Sequence, residues 1–296
     1  MQITDTNDAQ PVAARWTLDG LHYESLIWGP QNGKPVLALH GWMDHAASFQ
    51  ALAPHLTGCR VVAPDLSGHG LSSHRSADAS YNLWDDLPQI ARLTDQLEWD
   101  EFVLLGHSRG ANIGGLLAAA LPHRVRAFIA LDALVPVPVP AEDMPATLRG
   151  FIEQTTRQKT KPPRLFASTE AYAARRIAQG NAHATAEALA HRALSREPQG
   201  MRLRSDPRLF ASSAVKLTLP QIEAVLRGLT MPVLNIWARD GLRAHRDWGA
   251  RIEPLARSLV PDYTALELPG DHHFHLEPRH AARIAGAILK FLSDKG

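Results

Sequence analysis

The sequence predicts a doubly wound α/β fold with a mostly parallel central sheet and an inserted helical cap. Three observations carry that expectation. Short apolar runs alternate with amphipathic helical patterns, and glycine-rich loops follow several of the runs. The alternation stops between Pro136 and about Gly228, then resumes. Continuous apolar runs are what strands covered on both faces require. Strand–helix alternation gives parallel strands joined by right-handed crossovers, which gather the functional loops at one sheet edge.

The elements follow in chain order. The stretch RWTLDGLHYESLIWG (residues 15–29) alternates around Asp19-Gly20 and predicts an antiparallel hairpin. Val36–Leu39 and Arg60–Ala63 read as buried strands, and Leu83–Leu97 as an amphipathic helix. Phe102–Leu105 is a strand running into Gly106-His107-Ser108-Arg109-Gly110, with a small-residue helix, Ile113–Leu121, behind it. Val125–Leu131 is the next strand. The prolines of VPVPVPAEDMP (residues 135–145) then end strand pairing. Helical patterns at Ser168–Ala178 and Ala184–Leu194 follow, with no strand candidate among them. From Met231 the strands return, at Val233–Trp237 and Tyr263–Leu268, before a closing helix, Pro278–Leu292. Residues 1–135 and 229–296 therefore form a core domain, and residues 136–228 a helical cap inserted over its strand edge.

Composition narrows the class of protein. Of 296 residues, 45% are hydrophobic and 21% charged, and the net charge is +1. Nothing in that bulk balance calls for nucleic acid or an anionic membrane. Cys59 is the only cysteine, which excludes an internal disulfide and a cysteine-based metal cluster. The first residues, MQITDTNDAQPVAARW, lack a basic start and apolar core, and no apolar run approaches the ~18 residues of a membrane span. The expectation is a cytoplasmic protein with a small-molecule substrate, no cofactor and no metal.

Between two glycines, at a strand-to-helix corner, Ser108 is forced into a strained backbone conformation that lifts its hydroxyl clear of the sheet. The glycines leave room where a β-carbon would collide with neighbouring backbone. The helix N-terminus behind the serine favours developing negative charge. A G-x-S-x-G pentapeptide alone arises easily by chance; its position after a strand and before a helix is what makes Ser108 a candidate nucleophile.

A serine hydroxyl needs a base, and the base an orienting acid. LPGDHHFHLEP (residues 268–278) follows the last strand, and His272 stands where the chain can lean over the sheet edge. His273 and His275 are expected to pack or cap locally; a metal site from these histidines and Asp271 lacks further ligands. The acid belongs at a strand end. Asp240, after Val233–Trp237, is preferred, and Asp132, after Val125–Leu131, is the alternative. The loop His40-Gly41-Trp42-Met43 supplies an oxyanion hole, with the Trp42 and Arg109 backbone N–H groups converging on a carbonyl oxygen. His40 reads as a structural hydrogen-bonder, and His45 and His69 receive no role.

Together these motifs resemble the α/β-hydrolase superfamily over about Trp16 to Phe291. The likeness rests on His40-Gly41-Trp42, DLSGHGLSS (residues 65–73), GHSRG and GDHHFHLE, in order and at the right strand ends. LEWDEFVLLGHS, RLRSDPRLF and HHFH make the chain most similar to the serine hydrolase-like proteins. The resemblance implies a triad of Ser108, His272 and one acid. Two departures stand out. Arg109 replaces a residue more often apolar, and the usual acid loop has glycine where Ala238 stands and often carries its aspartate at the place of Gly241. Serine at the corner disfavours haloalkane dehalogenases and epoxide hydrolases, which resemble this fold but use aspartate.

The reading is a serine hydrolase acting on a carboxylic ester or related acyl bond. A carbon–carbon hydrolase on the same triad is the alternative enzyme, and a ligand-binding protein that kept the pocket is the alternative of another class. Arg157, Lys159, Lys161, Arg164, Arg175, Arg176, Arg202, Arg204 and Arg208 make the cap basic, either as a solvated face or as a positive rim that draws anionic substrates.

Overall fold

A computed structural model describes residues 10–295 except Pro163 and Arg246. The leader reading of the first nine residues falls outside that range, as does Pro163 within the basic stretch 155–164.

The chain opens with the hairpin β1 (Val12–Leu18) and β2 (Leu21–Trp28), turned at Asp19-Gly20, where both residues have positive φ. Then come β3 (Lys34–Leu39), β4 (Cys59–Pro64), α1 (Leu87–Gln96), β5 (Phe102–His107), α2 (Arg109–Ala120) and β6 (Val125–Leu131). Helix α1 is shorter than the sequence pattern suggests, because Pro88 sits at its first turn, the place proline favours. After the insertion the frame resumes with β10 (Val233–Asp240), α7 (Leu242–His245), α8 (Asp247–Leu259), β11 (Tyr263–Asp271) and α9 (Pro278–Lys295).

The eight strands order as β1-β2-β4-β3-β5-β6-β10-β11. The hairpin and the β2–β4 pair are antiparallel, and all other pairs are parallel. Alternate residues of each continuous apolar run go to opposite faces. Leu37, Leu104 and Phe128 pack with α1, α2 and α8 on one side; Ala38, Val103 and Ile129 pack with α9 on the other. A strand buried on both faces has no polar side to display, which is why these runs read as unbroken apolar sequence.

Residues 136–228 hold α3 (Met144–Thr160), β7 (Leu165–Phe166), α4 (Thr169–Ala178), α5 (His183–Ala193), β8 (Leu194–Glu197), β9 (Gly200–Leu203) and α6 (Leu219–Gly228). The expectation of helices alone is corrected here. The strands β7, β9 and β8 form a small antiparallel sheet, too short and too charged to leave a hydrophobic period in the sequence. Helix α6 packs Ile222 and Leu226 into the main core beside α2.

Polar groups tie the insertion down. Arg208 donates to the carbonyls of Arg75, Ser76 and Ala79 and pairs with Asp206 at 2.7 Å, and Tyr81 donates its hydroxyl to the same carboxylate at 2.8 Å. Arg192 reaches the fully buried Asp65 at 2.9 Å. Removing one member of such a buried pair strands the other. Arg208→Ala should therefore lower unfolding free energy by about 3 kcal/mol or more in chemical denaturation. A loss well under 1 kcal/mol would mean that the latch carries no weight.

Five histidines lie buried among the described residues, His40, His45, His69, His107 and His275, and burial lowers the His45 ring as well. Burial pushes His40 and His275 down to about 3 and His69 to about 4, and holds His107 well below the ordinary value of 6.5. At pH above 6.5 both folded and unfolded chains keep these rings neutral. Below it the unfolded chain binds protons that the native chain refuses, so stability falls with acid until the folded values are reached. Each ring contributes up to ~1.4 kcal/mol per pH unit in that window. Denaturation midpoints should decline steeply from pH 6.5 to 4.5; a flat profile there would contradict the neutral burial.

Candidate active site

Ser108 has φ 53° and ψ −116°, the strained corner that the sequence calls for. Its neighbours show why both flanking glycines are needed. A β-carbon at Gly106 would lie 2.6 Å from Ala111 Cα, and one at Gly110 would run into the carbonyl oxygen of Leu39. The corner sits at the carboxyl end of β5, between β3 and β6, with α2 starting directly behind it.

Ser108 Oγ lies 2.9 Å from His272 Nε2, and His272 Nδ1 lies 2.6 Å from Asp132 Oδ2. A carboxylate accepts only, so Nδ1–H donates to Asp132, and Nε2 is left to accept the serine O–H. The chain of hydroxyl, imidazole and carboxylate lets the ring take a proton from the hydroxyl while the carboxylate fixes its tautomer.

Asp240, the preferred acid of the sequence reading, stands outside this relay, and Asp132, the alternative, stands within it. Asp240 is exposed at the end of β10, after a register shift between Ala238 and Asp240, and lines a separate cavity with Pro269, Gly270 and Asp271. The turn after β10 offers the site backbone donors rather than a carboxylate: Ala238 N–H and Leu242 N–H donate to Asp132 Oδ1 and Oδ2 at 3.1 and 2.8 Å. Gly241 explains the exchange. A β-carbon there would collide with the Asp132 carboxylate, so an acid on β6 and a side chain at 241 exclude one another. Asp132 is fully buried and itself has positive φ, 48°.

The remaining candidates separate in space. His40 donates from Nδ1 to Gly41 O and accepts at Nε2 from Leu66 N–H, a structural pairing. His275 is buried against Phe49 and His107, and His273 turns to Asp44 at 3.2 Å. Asp44, His107 and His273 bring ligand-type atoms within 4.8 Å of one another, but Arg176 donates to Asp44 at 3.1 Å and sets a cation against that spot. Burial alone would raise the Asp44 carboxyl; His273, Arg176 and His107 outweigh it and hold the group well below the usual range.

Several positions escaped the sequence reading. His107 Nε2 pairs with the carbonyl of His272 at 2.8 Å and steadies that loop. Asn235 donates to the carbonyls of Ala130 and Ala133, on either side of Asp132, and accepts from the Tyr263 hydroxyl. An asparagine inside the apolar run PVLNIWA was a visible signal, since a buried amide needs a job. Asp44 and Arg176, 132 positions apart, left none.

Ser108, Asp132 and His272 line a cavity of about 800 Å³. Trp42 and Arg109 line it as well, beside the serine. One part of the wall is apolar, with Trp84, Val135, Leu217 and Trp248; another is polar, with Asp44, Arg176, Gln179 and Asn181. A cavity of about 920 Å³ between α4, α5 and the start of β1 lies away from Ser108. The basic insertion divides accordingly. Arg176 and Arg192 pair with Asp44 and Asp65 of the core, Arg208 pairs with Asp206 within the insertion, and Arg204 donates to Leu194 O. Among the described cations of residues 136–228, Arg176 and Lys216 reach the cavity wall.

Comparison with known proteins agrees with this architecture. Residues 34–277 match the family model described as the alpha/beta hydrolase fold. Serine hydrolase-like protein 2 of Homo sapiens is 31% identical over 288 residues, covering 91% of this chain and 91% of its own. A serine hydrolase-like protein of Dictyostelium discoideum is 28% identical, covering 93% of this chain and 80% of its own. The crystal structure of a hypothetical protein from Pseudomonas aeruginosa PAO1 superposes with a TM-score of 0.89 at 35% identity, covering 95% of this chain and 99% of that one. With the strand order, the corner serine and these relatives in agreement, the chain belongs to the α/β-hydrolase fold family, among its serine hydrolase-like members.

Proposed function

We propose that this chain is a serine hydrolase that cleaves a carboxylic ester or related acyl bond through an acyl-enzyme. The observation that carries the reading is the relay Ser108 Oγ–His272 Nε2 at 2.9 Å and His272 Nδ1–Asp132 Oδ2 at 2.6 Å. His272 takes the Ser108 proton as the oxygen attacks the carbonyl carbon. The Trp42 and Arg109 backbone N–H groups receive the carbonyl oxygen as it becomes negative. His272 then protonates the leaving group, and water enters by the same route to release the acid. Asp132 holds the ring in the tautomer that leaves Nε2 free to accept. Residues 136–228 act as a cap that closes the cavity over the nucleophile, and no cofactor takes part in the reaction.

Ser108→Ala should cost several orders of magnitude in kcat/KM on an ester or thioester panel, with ~10³ over water left from binding of the oxyanion. An active-site serine probe should label the native chain and not this variant. Binding of a cavity ligand by native protein that the probe fails to label would favour a non-catalytic ligand-binding protein instead.

Asp132→Asn should lower kcat by roughly 10⁴, because the amide stabilises the wrong imidazole tautomer. Asp240→Asn should stay near native. The reverse pattern in steady-state kinetics would overturn the assignment of the acid.

A further inference from the structure

Two members of the relay, Ser108 and Asp132, are among the five described non-glycine residues with positive φ. The strain at Ser108 is accommodated by the glycines on either side of its corner. Asp132 stands between Leu131 and Ala133 and has no such neighbours, so its φ of 48° needs another constraint to hold it. The sheet itself supplies only part of one. Asp132 N–H donates to Ile236 O at 2.8 Å, and Leu131 with Ile236 is the last pair of the β6–β10 ladder. Ala133 is buried and lies past that pair, where the ladder no longer offers its carbonyl a donor.

Asn235 takes over at this point. It is fully buried in β10, opposite Ala130 in the register. Its Nδ2 donates to Ala133 O at 2.9 Å and to Ala130 O at 3.1 Å, and its Oδ1 accepts from the Tyr263 hydroxyl at 2.8 Å. Carbonyls only accept, so the amide nitrogen must face them, and the Tyr263 O–H fixes the other end of the amide. Tyr263 opens β11, the strand that leads into the loop of His272. Val233 and Trp237, on the same strand face as Asn235, belong to the apolar core. An apolar side chain would fill position 235 without the cost of burying an amide. Packing therefore does not account for asparagine there, whereas the two carbonyls that bracket Asp132 do.

We infer that Asn235 is a positioning residue of the relay: by clamping the carbonyls on both sides of Asp132, it holds the strained strand end from which the carboxylate reaches His272. With Asp132 as the acid of the proposed serine hydrolase, on which this role rests, Asn235 acts through that carboxylate and touches no reacting atom. Tyr263 supports it by orienting the amide.

The test combines kinetics with a structure of the variant. Asn235→Leu keeps a similar volume and removes all three hydrogen bonds. It should lower kcat about 10²-fold with KM nearly unchanged, the scale expected when a reacting group is displaced by about 1 Å. Tyr263→Phe should give a smaller loss in the same sense. The loss should disappear where the acid is already gone: Asp132→Asn with Asn235→Leu should be no slower than Asp132→Asn alone, because residues acting as one unit do not add. A crystal structure of Asn235→Leu should show Asp132 Oδ2 out of hydrogen-bond reach of His272 Nδ1. Near-native kcat in Asn235→Leu, a loss carried by KM, a loss that persists beside Asp132→Asn, or an unmoved Asp132 each overturns the proposal. If circular dichroism shows that Asn235→Leu does not fold, the same cycle with Tyr263→Phe decides. A native chain with neither turnover nor serine-probe labelling sinks the hydrolase reading instead, and the variant structure still reports whether Asn235 places Asp132.

Discussion

The site hangs on one buried carboxylate. Asp132 stands at the end of β6 and accepts from the Ala238 and Leu242 N–H groups and from the His272 ring. Those donors belong to the ends of β10 and β11, so one side chain joins three consecutive strand ends of the parallel sheet. A buried carboxylate is costly unless its lone pairs are filled, and here the filling groups are the same ones that place the histidine. Asn235 reinforces the arrangement from below by holding the carbonyls on either side of Asp132.

The insertion is fastened by ion pairs as well as by apolar contact. Arg176 meets Asp44, Arg192 meets Asp65, and Arg208 meets Asp206 and three carbonyls of the loop 75–79. The apolar contribution is a cluster around Met43, Tyr81, Tyr172 and Leu209, together with Ile222 and Leu226 of α6 in the main core. Buried ion pairs return little net stability once desolvation is counted, but they specify geometry because a slipped partner is left unpaired. That geometry is carried to the site. Trp42, beside Ser108, donates its indole N–H to Leu209 O in the insertion, so the loop expected to hold the oxyanion and the turn that carries Leu209 are set together.

The two faces of the insertion thus have different chemistry. Its inner arginines neutralise carboxylates at the sheet edge, while the outer side of α3 leaves both cations and apolar groups to solvent. Charge counted along the sequence merges these populations, and only burial separates them.

The fold class, the places of the main strands along the chain and the position of Ser108 were legible in the sequence, because each is written locally. Buried strands need unbroken apolar runs, and a serine corner needs glycine on both sides. His272 was legible for the same reason, at the loop after the last strand. The small sheet of β7, β9 and β8 was not, because strands of two to four residues leave no period to detect. The choice between Asp132 and Asp240 also needed the tertiary structure. Both end a strand at the right edge, and local pattern does not say which way a strand-end side chain turns. A register shift after Ala238 sends Asp240 outward, and the space beside Gly241 is already filled by Asp132. Sequence alone determined which strand ends would meet; packing between them decided which carboxylate reaches the histidine, since two side chains cannot occupy one volume.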